Sequence, residues 1–195
     1  AIDDATAPLV TGWAQSRADI PHWYTMGSTP VDDVMPFGFL YDHNRTAEVA
    51  QAAQPEDAFA VISTAAVEIM PRGAILTHTN ILMANLQTIV SMGLHELDSN
   101  LLALPLFHVA ALNSTFATLH AGGANVLMAR FDAARAAQLI DRHHVTYLTS
   151  FPPVLTSILD AAQQAGSTLP SLRHVVGLEI PDTIQRLHAT TGAQF

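Results

Sequence analysis

From about residue 74 onward the chain repeats one pattern. A short apolar run is followed by a helical stretch and then by another apolar run, with few residues between. This alternation leaves few folds open. Parallel strands cannot be joined by a tight turn, and they need a crossover that is usually a helix. The runs Leu101 to Leu106, Ala124 to Met128, Val145 to Thr149 and Arg173 to Val176 read as strands. They are near-continuous in apolar residues rather than alternating, as strands covered on both faces should be. Between them, Val109 to His120 reads as a helix stopped by Gly122-Gly123, and Asp132 caps a helix to His143. Pro152 or Pro153 starts a helix to about Ala165, and Pro181 starts a last one to Thr190. The fold class expected is α/β, a layered α-β-α arrangement with a mostly parallel sheet.

The stretch before residue 99 is less regular. Ala7, Leu9, Val10, Trp13 and Ala14 give Asp4 to Ala18 the spacing of an amphipathic helix. His22 to Met26 reads as a short strand, residues 27–45 as a loop, and Arg45 to Gln51 as a helix. Ala58 to Ile62 has the look of a buried strand, and Ala74 to Thr77 of a short one. Thr79 is the expected N-cap of a helix from Asn80 to Met92 that Gly93 closes. After the last helix the register calls for another strand, so the end at Phe195 reads as a cut.

Composition narrows the chemistry. Eight basic against 17 acidic residues give a net charge of −9, which disfavours an electrostatic grip on nucleic acid or on an anionic membrane surface. There is no cysteine, so thiolate nucleophiles, disulfides and Cys-based zinc sites are excluded. All eight basic residues are arginines, which removes any mechanism needing a lysine amine from this chain. No apolar run reaches the roughly 18 residues that cross a bilayer. With the acidic start Ala1-Ile2-Asp3-Asp4, the expectation is a cytoplasmic protein without a membrane span.

In parallel sheets ligands bind at the loops after the strand C-termini. The loop from Ser63 to Gly73 follows such a run and carries Ser63, Thr64, Arg72 and Gly73, the residue types of a phosphate cradle. It lacks a run of glycines, so an ordinary connecting loop stands beside that reading. His143-His144 fits a basic helix C-terminus better than a metal site. His78, His108 and His120 lack tight ligand spacing, and no metal site is expected. Trp13, Trp23 and Tyr24, like Met83, Met92 and Met128, fit core packing.

The order of motifs resembles the AMP-binding family of adenylate-forming enzymes, which includes acyl-CoA synthetases, luciferases and peptide-synthetase adenylation domains. Its phosphate-loop signature, Thr-Ser-Gly-Ser/Thr-Thr-Gly-x-Pro-Lys-Gly, is matched by Thr64, Pro71 and Gly73, with Arg72 in place of lysine. His78 and Asn80 match the helix start that follows it. Leu104 to Val109 resembles the Pro-x-Phe-His motif, Ala121 to Ala124 the Gly-Gly turn, and Arg130 to Asp132 the Phe-Asp helix start. Val145-Thr146 with Phe151 to Pro153, then Leu172-Arg173 and Thr191 to Ala193, complete the order. The match is specific over residues 57–195. Residues 1–56 match loosely, as the end of a preceding lobe with helix, strand and loop.

The resemblance implies a carboxylate-activating ligase using ATP, Mg2+ and coenzyme A, with a small-molecule carboxylic acid as substrate. On its positions Thr64, Arg72 and Gly73 bind phosphate, Gly177, Leu178 and Glu179 bind adenine, and His108 borders the acyl or coenzyme A channel. The departures are Ala65 to Ile69 in the glycine-rich positions, with a negative Glu68, and Gly177 to Pro181 where the family has Gly-Gly-Ala-Pro-Leu. The chain stops before the family's Tyr-Gly-x-Thr-Glu motif and its lysine-bearing C-terminal domain. By itself it is therefore expected to be inactive, to hold no cofactor tightly, and to self-associate through truncated surfaces. The alternative is a non-catalytic homologue that binds an acyl ligand or a partner protein. A Rossmann-like dinucleotide domain is disfavoured, because no Gly-x-Gly-x-x-Gly follows a strand.

Overall fold

A computed structural model describes residues 22–28, 30–31, 34–41, 52–65 and 70–195, together with Asp4, Pro8, Ser16 and Asp19. The helices expected over Asp4 to Ala18 and Arg45 to Gln51 lie largely or wholly outside these residues. The chain divides into two compact units, Ala1–Ala52 and Ala53–Phe195.

In the first unit β1 (Tyr24–Thr25) pairs in parallel with β2 (Met35–Pro36). A 3-10 turn, Phe37–Leu40, follows. Residues 27–45, expected as loop only, thus contain a strand and a helical turn. The ring of Phe37 meets Tyr24 edge-on at 6.3 Å and Tyr41 at 5.6 Å.

The second unit is built on four parallel strands: β5 (Ser99–Leu102), β6 (Ala124–Leu127), β7 (Tyr147–Ser150) and β8 (His174–Gly177). Their order across the sheet is β6-β5-β7-β8. All residues of β5 and β7 are buried, because these strands are central and covered on both faces. The helices follow the sequence reading closely: α1 (His78–Met92), α2 (Val109–His120), α3 (Ala133–His143), α4 (Val154–Ala165) and α5 (Pro181–Thr191).

Alternation along the strands sorts the core into two layers. Leu101, Leu148 and Val175 pack with Ile140, Leu155 and Leu187 from α3, α4 and α5. Tyr147 and Val176 point the other way, against Ala117 of α2, Ile89 and Met92 of α1, and Leu94. Beyond β8, Gln194 bridges His174 in parallel, where the register calls for a further strand.

Two further sequence expectations need correction. Thr77, not Thr79, caps α1. Its hydroxyl accepts the Asn80 backbone N–H, and the Asn80 side-chain Oδ1 accepts the Thr77 N–H, closing a capping box. Thr79 instead donates its hydroxyl to the Pro55 carbonyl at 2.9 Å. The run at 58–62 is not a buried parallel strand. β3 (Ala58–Ser63) and β4 (Gly73–Thr77) form a separate antiparallel pair, with Val61 and Ile75 each 64% exposed. Its anchor is Phe59, whose ring meets His78 at 5.2 Å and Phe116 at 5.0 Å, both edge-on. An apolar run reports the capacity to be buried, whereas the partner strand decides which side is covered.

Candidate functional site

The strand order sets where a ligand can enter. From β5 the chain moves outward to β6, then crosses back to β7 and continues to β8. The loops leaving β5 and β7 therefore diverge, and the sheet has its topological switch point between them. His108 follows β5 and Phe151 follows β7, and their rings meet there at 5.4 Å.

His108 is held by its own helix. It is the N-cap of α2, and its Nδ1 accepts the Ala110 N–H at 3.1 Å. In the neutral ring this hydrogen bond puts the proton on Nε2, which is left to donate outward.

Thr64 approaches the same place from the ribbon. Its N–H donates to the Arg72 carbonyl at 2.8 Å, and its hydroxyl accepts the Arg72 N–H at 3.0 Å. These bonds pinch the neck of the 65–71 loop. Residues 66–69, including the acidic Glu68, lie outside the described residues. Thr64 and His108 line one cavity of about 740 Å³ with Ser63, Ala65, Leu76 and Phe107. Arg72 and Gly73 are not among its lining residues. The Arg72 guanidinium is exposed and has no partner among the described residues. Gly73 packs against Val61, and a Cβ there would lie 2.7 Å from a Val61 methyl carbon.

Gly177, Leu178 and Glu179 sit at the tip of β8, one strand over. Gly177 has φ +145°, and a Cβ there would lie 1.8 Å from the Ser150 carbonyl oxygen. The Leu178 N–H donates to that same carbonyl at 3.3 Å. Glu179 accepts the Ile180 N–H through Oε2, while its Oε1 is buried without a donor. The two halves of the expected site are thus joined through consecutive residues of β7, since Ser150 touches Gly177 and Phe151 touches His108.

Sequence reading missed the lining between α1 and α2. A second cavity, about 540 Å³, lies between α1 and α2 and shares Leu76 and Val109 with the first as lining residues. A third, about 220 Å³, shares Asn113 with the second and reaches Tyr147 and Val176. The available signal was polar residues on apolar helix faces, Asn113 and Thr88 among them. Helical periodicity places such residues but does not say what they face. Tyr147 accepts a hydrogen bond from the Thr149 hydroxyl, and burial pushes its phenol above the usual tyrosine value.

At the opposite end of the strands lies a structural anchor. Asp98, 2% exposed, accepts from Arg173 at 2.8 and 3.0 Å, from the Thr146 hydroxyl at 2.6 Å and from the His95 N–H at 2.9 Å. It ties the starts of β5, β7 and β8 together, far from the strand tips that bear the cavity.

Among the described residues no three His, Asp or Glu side chains converge as a metal-ligand set.

A family model described as AMP-binding enzyme matches residues 5–194. A crystallised protein of Rhodopseudomonas palustris designated a long-chain-fatty-acid CoA ligase is 37% identical, with TM-score 0.88 over 98% of this chain and 47% of its own. The 4-coumarate--CoA ligase 1 of Oryza sativa subsp. japonica is 33% identical over 132 residues, 65% of this chain and 23% of its own length. The O-succinylbenzoate coenzyme A synthetase of Bacillus subtilis, crystallised with ATP and magnesium ion, shares the fold at TM-score 0.65 and 23% identity, over 76% of this chain and 31% of its own. The chain therefore spans about half or less of the proteins it matches. No helix among the described residues is long and apolar enough to cross a membrane.

Proposed function

The chain belongs to the AMP-binding enzyme family of adenylate-forming ligases, and from that premise we propose that it supplies the phosphate-, adenine- and acyl-facing walls of a carboxylate–CoA ligase. In that reaction a carboxylate oxygen attacks the α-phosphorus of ATP. The bond to the bridging oxygen breaks, and pyrophosphate leaves with the electron pair. The thiol of coenzyme A then displaces AMP from the acyl carbon. The demands on the protein are charge neutralisation and close positioning.

In this reading the Thr64 hydroxyl and the Arg72 guanidinium bind phosphate oxygens at the neck of the loop. Gly177 lets the β8 backbone close against Ser150, and the Glu179 carboxylate accepts from the adenine amine. His108 directs its Nε2–H at the carboxylate or the adenylate. ATP with Mg2+ and coenzyme A are the cosubstrates. The acid is apolar for most of its length, since Leu76, Ile81, Ala84, Val109 and Leu112 line the second cavity. The observation that carries the reading is that Thr64 and His108, 44 positions apart, line one cavity at the switch point.

Without a lysine, this chain does not complete the reaction by itself. The exposed Leu82, Leu86 and Val90 of α1 support self-association. The replacement of the loop's glycines by Ala65 to Ile69 favours a second reading, a non-catalytic homologue that holds an acyl ligand or a partner protein.

Calorimetry with a non-hydrolysable acyl-adenylate, an N-acylsulfamoyl adenosine, tests the site. Binding of this probe that falls at least fivefold in His108→Ala, and ATP–Mg2+ binding that falls at least fivefold in Arg72→Ala, are expected. No binding at millimolar concentration, or affinities unchanged in both variants, refutes the site. Incubation with ATP, Mg2+, coenzyme A and carboxylates should release no pyrophosphate, and turnover would refute the inactivity of this chain alone.

A further inference from the structure

We propose that Phe59 is a positioning residue for the phosphate end of the site: its ring sets how far the loop neck at Thr64 and Arg72 stands from His108. This rests on the phosphate-binding reading above and adds to it a residue outside the cavity.

The ribbon of β3 and β4 is a sheet of its own, separate from the four parallel strands. Its base is stapled to the start of α1. The His78 N–H donates to the Asp57 carbonyl at 3.1 Å, and the Thr79 N–H to the Pro55 carbonyl at 3.0 Å. Both amides belong to the first turn of the helix, where no intrahelical acceptor exists. The far end of the ribbon carries the neck, closed by the bonds between Thr64 and Arg72. A two-stranded ribbon has little stability of its own, so its tilt depends on what it rests against.

Phe59 is that support. Ala58 pairs with Thr77 and Ala60 with Leu76, which leaves Phe59 as an extra residue without a partner on β4. A bulge of this kind re-aims the side chain it carries. The Phe59 ring stands edge-on to His78 at the start of α1, at 5.2 Å and 80°, and to Phe116 of α2, at 5.0 Å and 86°. Edge-to-face pairs favour one orientation beyond what area burial gives. No other residue of β3 or β4 is aromatic.

Two elements lead from this contact to the cavity. Thr64 lies five positions after Phe59, about 16 Å along an extended strand. His108 lies eight positions before Phe116, about 12 Å along α2. Both end at one cavity, lined by Ser63 and Thr64 from the ribbon and by His108 and Val109 from α2. Phe59 is not among its lining residues, so it acts through the neck and not by contact with the ligand. ATP reaches both ends, whereas AMP lacks the phosphates that the neck holds. A leucine at position 59 opens the contact with Phe116, and a neck displaced by about 1 Å loses about an order of magnitude in grip.

Calorimetry of this chain with ATP–Mg2+ and with AMP tests the assignment. In Phe59→Leu, ATP–Mg2+ affinity should fall about tenfold while AMP affinity stays within twofold. Phe116→Leu, which removes the other half of the contact, should show the same split. Unchanged AMP affinity also reports an intact fold. Combined with Arg72→Ala, Phe59→Leu should add less than twofold to the loss of the weaker-binding single variant, because both act on the same neck. Equal losses for ATP and AMP, no loss for ATP, or fully additive losses in the double variant overturn the proposal and leave the site reading standing. A parent chain that binds AMP but binds ATP–Mg2+ no more tightly overturns the phosphate role of Thr64 and Arg72, and this proposal with it. Binding of neither nucleotide overturns the site reading as a whole.

Discussion

Replacing Gly177 by alanine tests the joint that holds the two halves of the site together. The ideal Cβ would sit 1.8 Å from the Ser150 carbonyl oxygen and 3.0 Å from its carbon. Both atoms are backbone, so no side chain can swing away, and the tips of β7 and β8 must part by more than 1 Å. The φ of +145° lies in a region reserved for glycine, which costs about 1–3 kcal/mol for a residue with a Cβ. Forcing the strands apart adds about 1–3 kcal/mol of overpacking strain, and weakening the Leu178 N–H bond to Ser150 adds about 1 kcal/mol. A loss near 4 kcal/mol is expected, read as a fall in the urea midpoint at unchanged slope. Gly166→Ala is the internal control. Its φ is +73°, yet nothing lies within 4 Å of its Cβ position, so only the left-handed backbone penalty of about 1 kcal/mol applies. If Gly177→Ala costs no more than Gly166→Ala, close approach to Ser150 does not shape the strand tips. Acyl-adenylate affinity should fall in Gly177→Ala and stay unchanged in Gly166→Ala.

Other substitutions probe the scaffold. Leu148→Ala empties a fully buried position in the larger core layer and should cost about 3–4 kcal/mol in the same urea assay; a loss under 1 kcal/mol would mean the layer is not packed as described. Asp98→Ala strands the Thr146 hydroxyl and the His95 N–H, whereas Arg173, 42% exposed, rehydrates. A loss of about 2–3 kcal/mol is expected, with acyl-adenylate affinity unchanged because the anchor lies at the far ends of the strands. The His174 pKa is lowered by burial and then by the Arg173 charge, against an opposing pull from Asp98. Its contribution to stability is therefore present above the ordinary histidine value of about 6.5 and lost as pH falls through the depressed folded value. Thermal melts from pH 7.5 to 4.5 should show a shallower decline in His174→Gln than in the parent chain, and parallel curves would count against it.

The sequence by itself determined the layered fold and most of its element boundaries. Apolar runs at Leu101, Val145 and Arg173, separated by helices that Asp132 or Pro181 begins and Gly93 or Gly192 ends, admit little but a parallel sheet. It also exposed the kinship, because Thr64, Pro71, Gly73 and His108 stand in a fixed order. These signals are local: caps, breakers and periodicity act within a few residues, and a linear reading captures them. Tertiary structure decided the rest. It sent β3 to an antiparallel partner instead of the main sheet. It gave the α1 cap to Thr77, and it brought Phe151 to His108 and Ser150 to Gly177. It also turned Asn113 and Tyr147, which look like ordinary helix and strand residues, into the lining of one cavity. Those outcomes depend on contacts between residues tens of positions apart, and a side chain's surroundings are fixed only when the whole chain has packed.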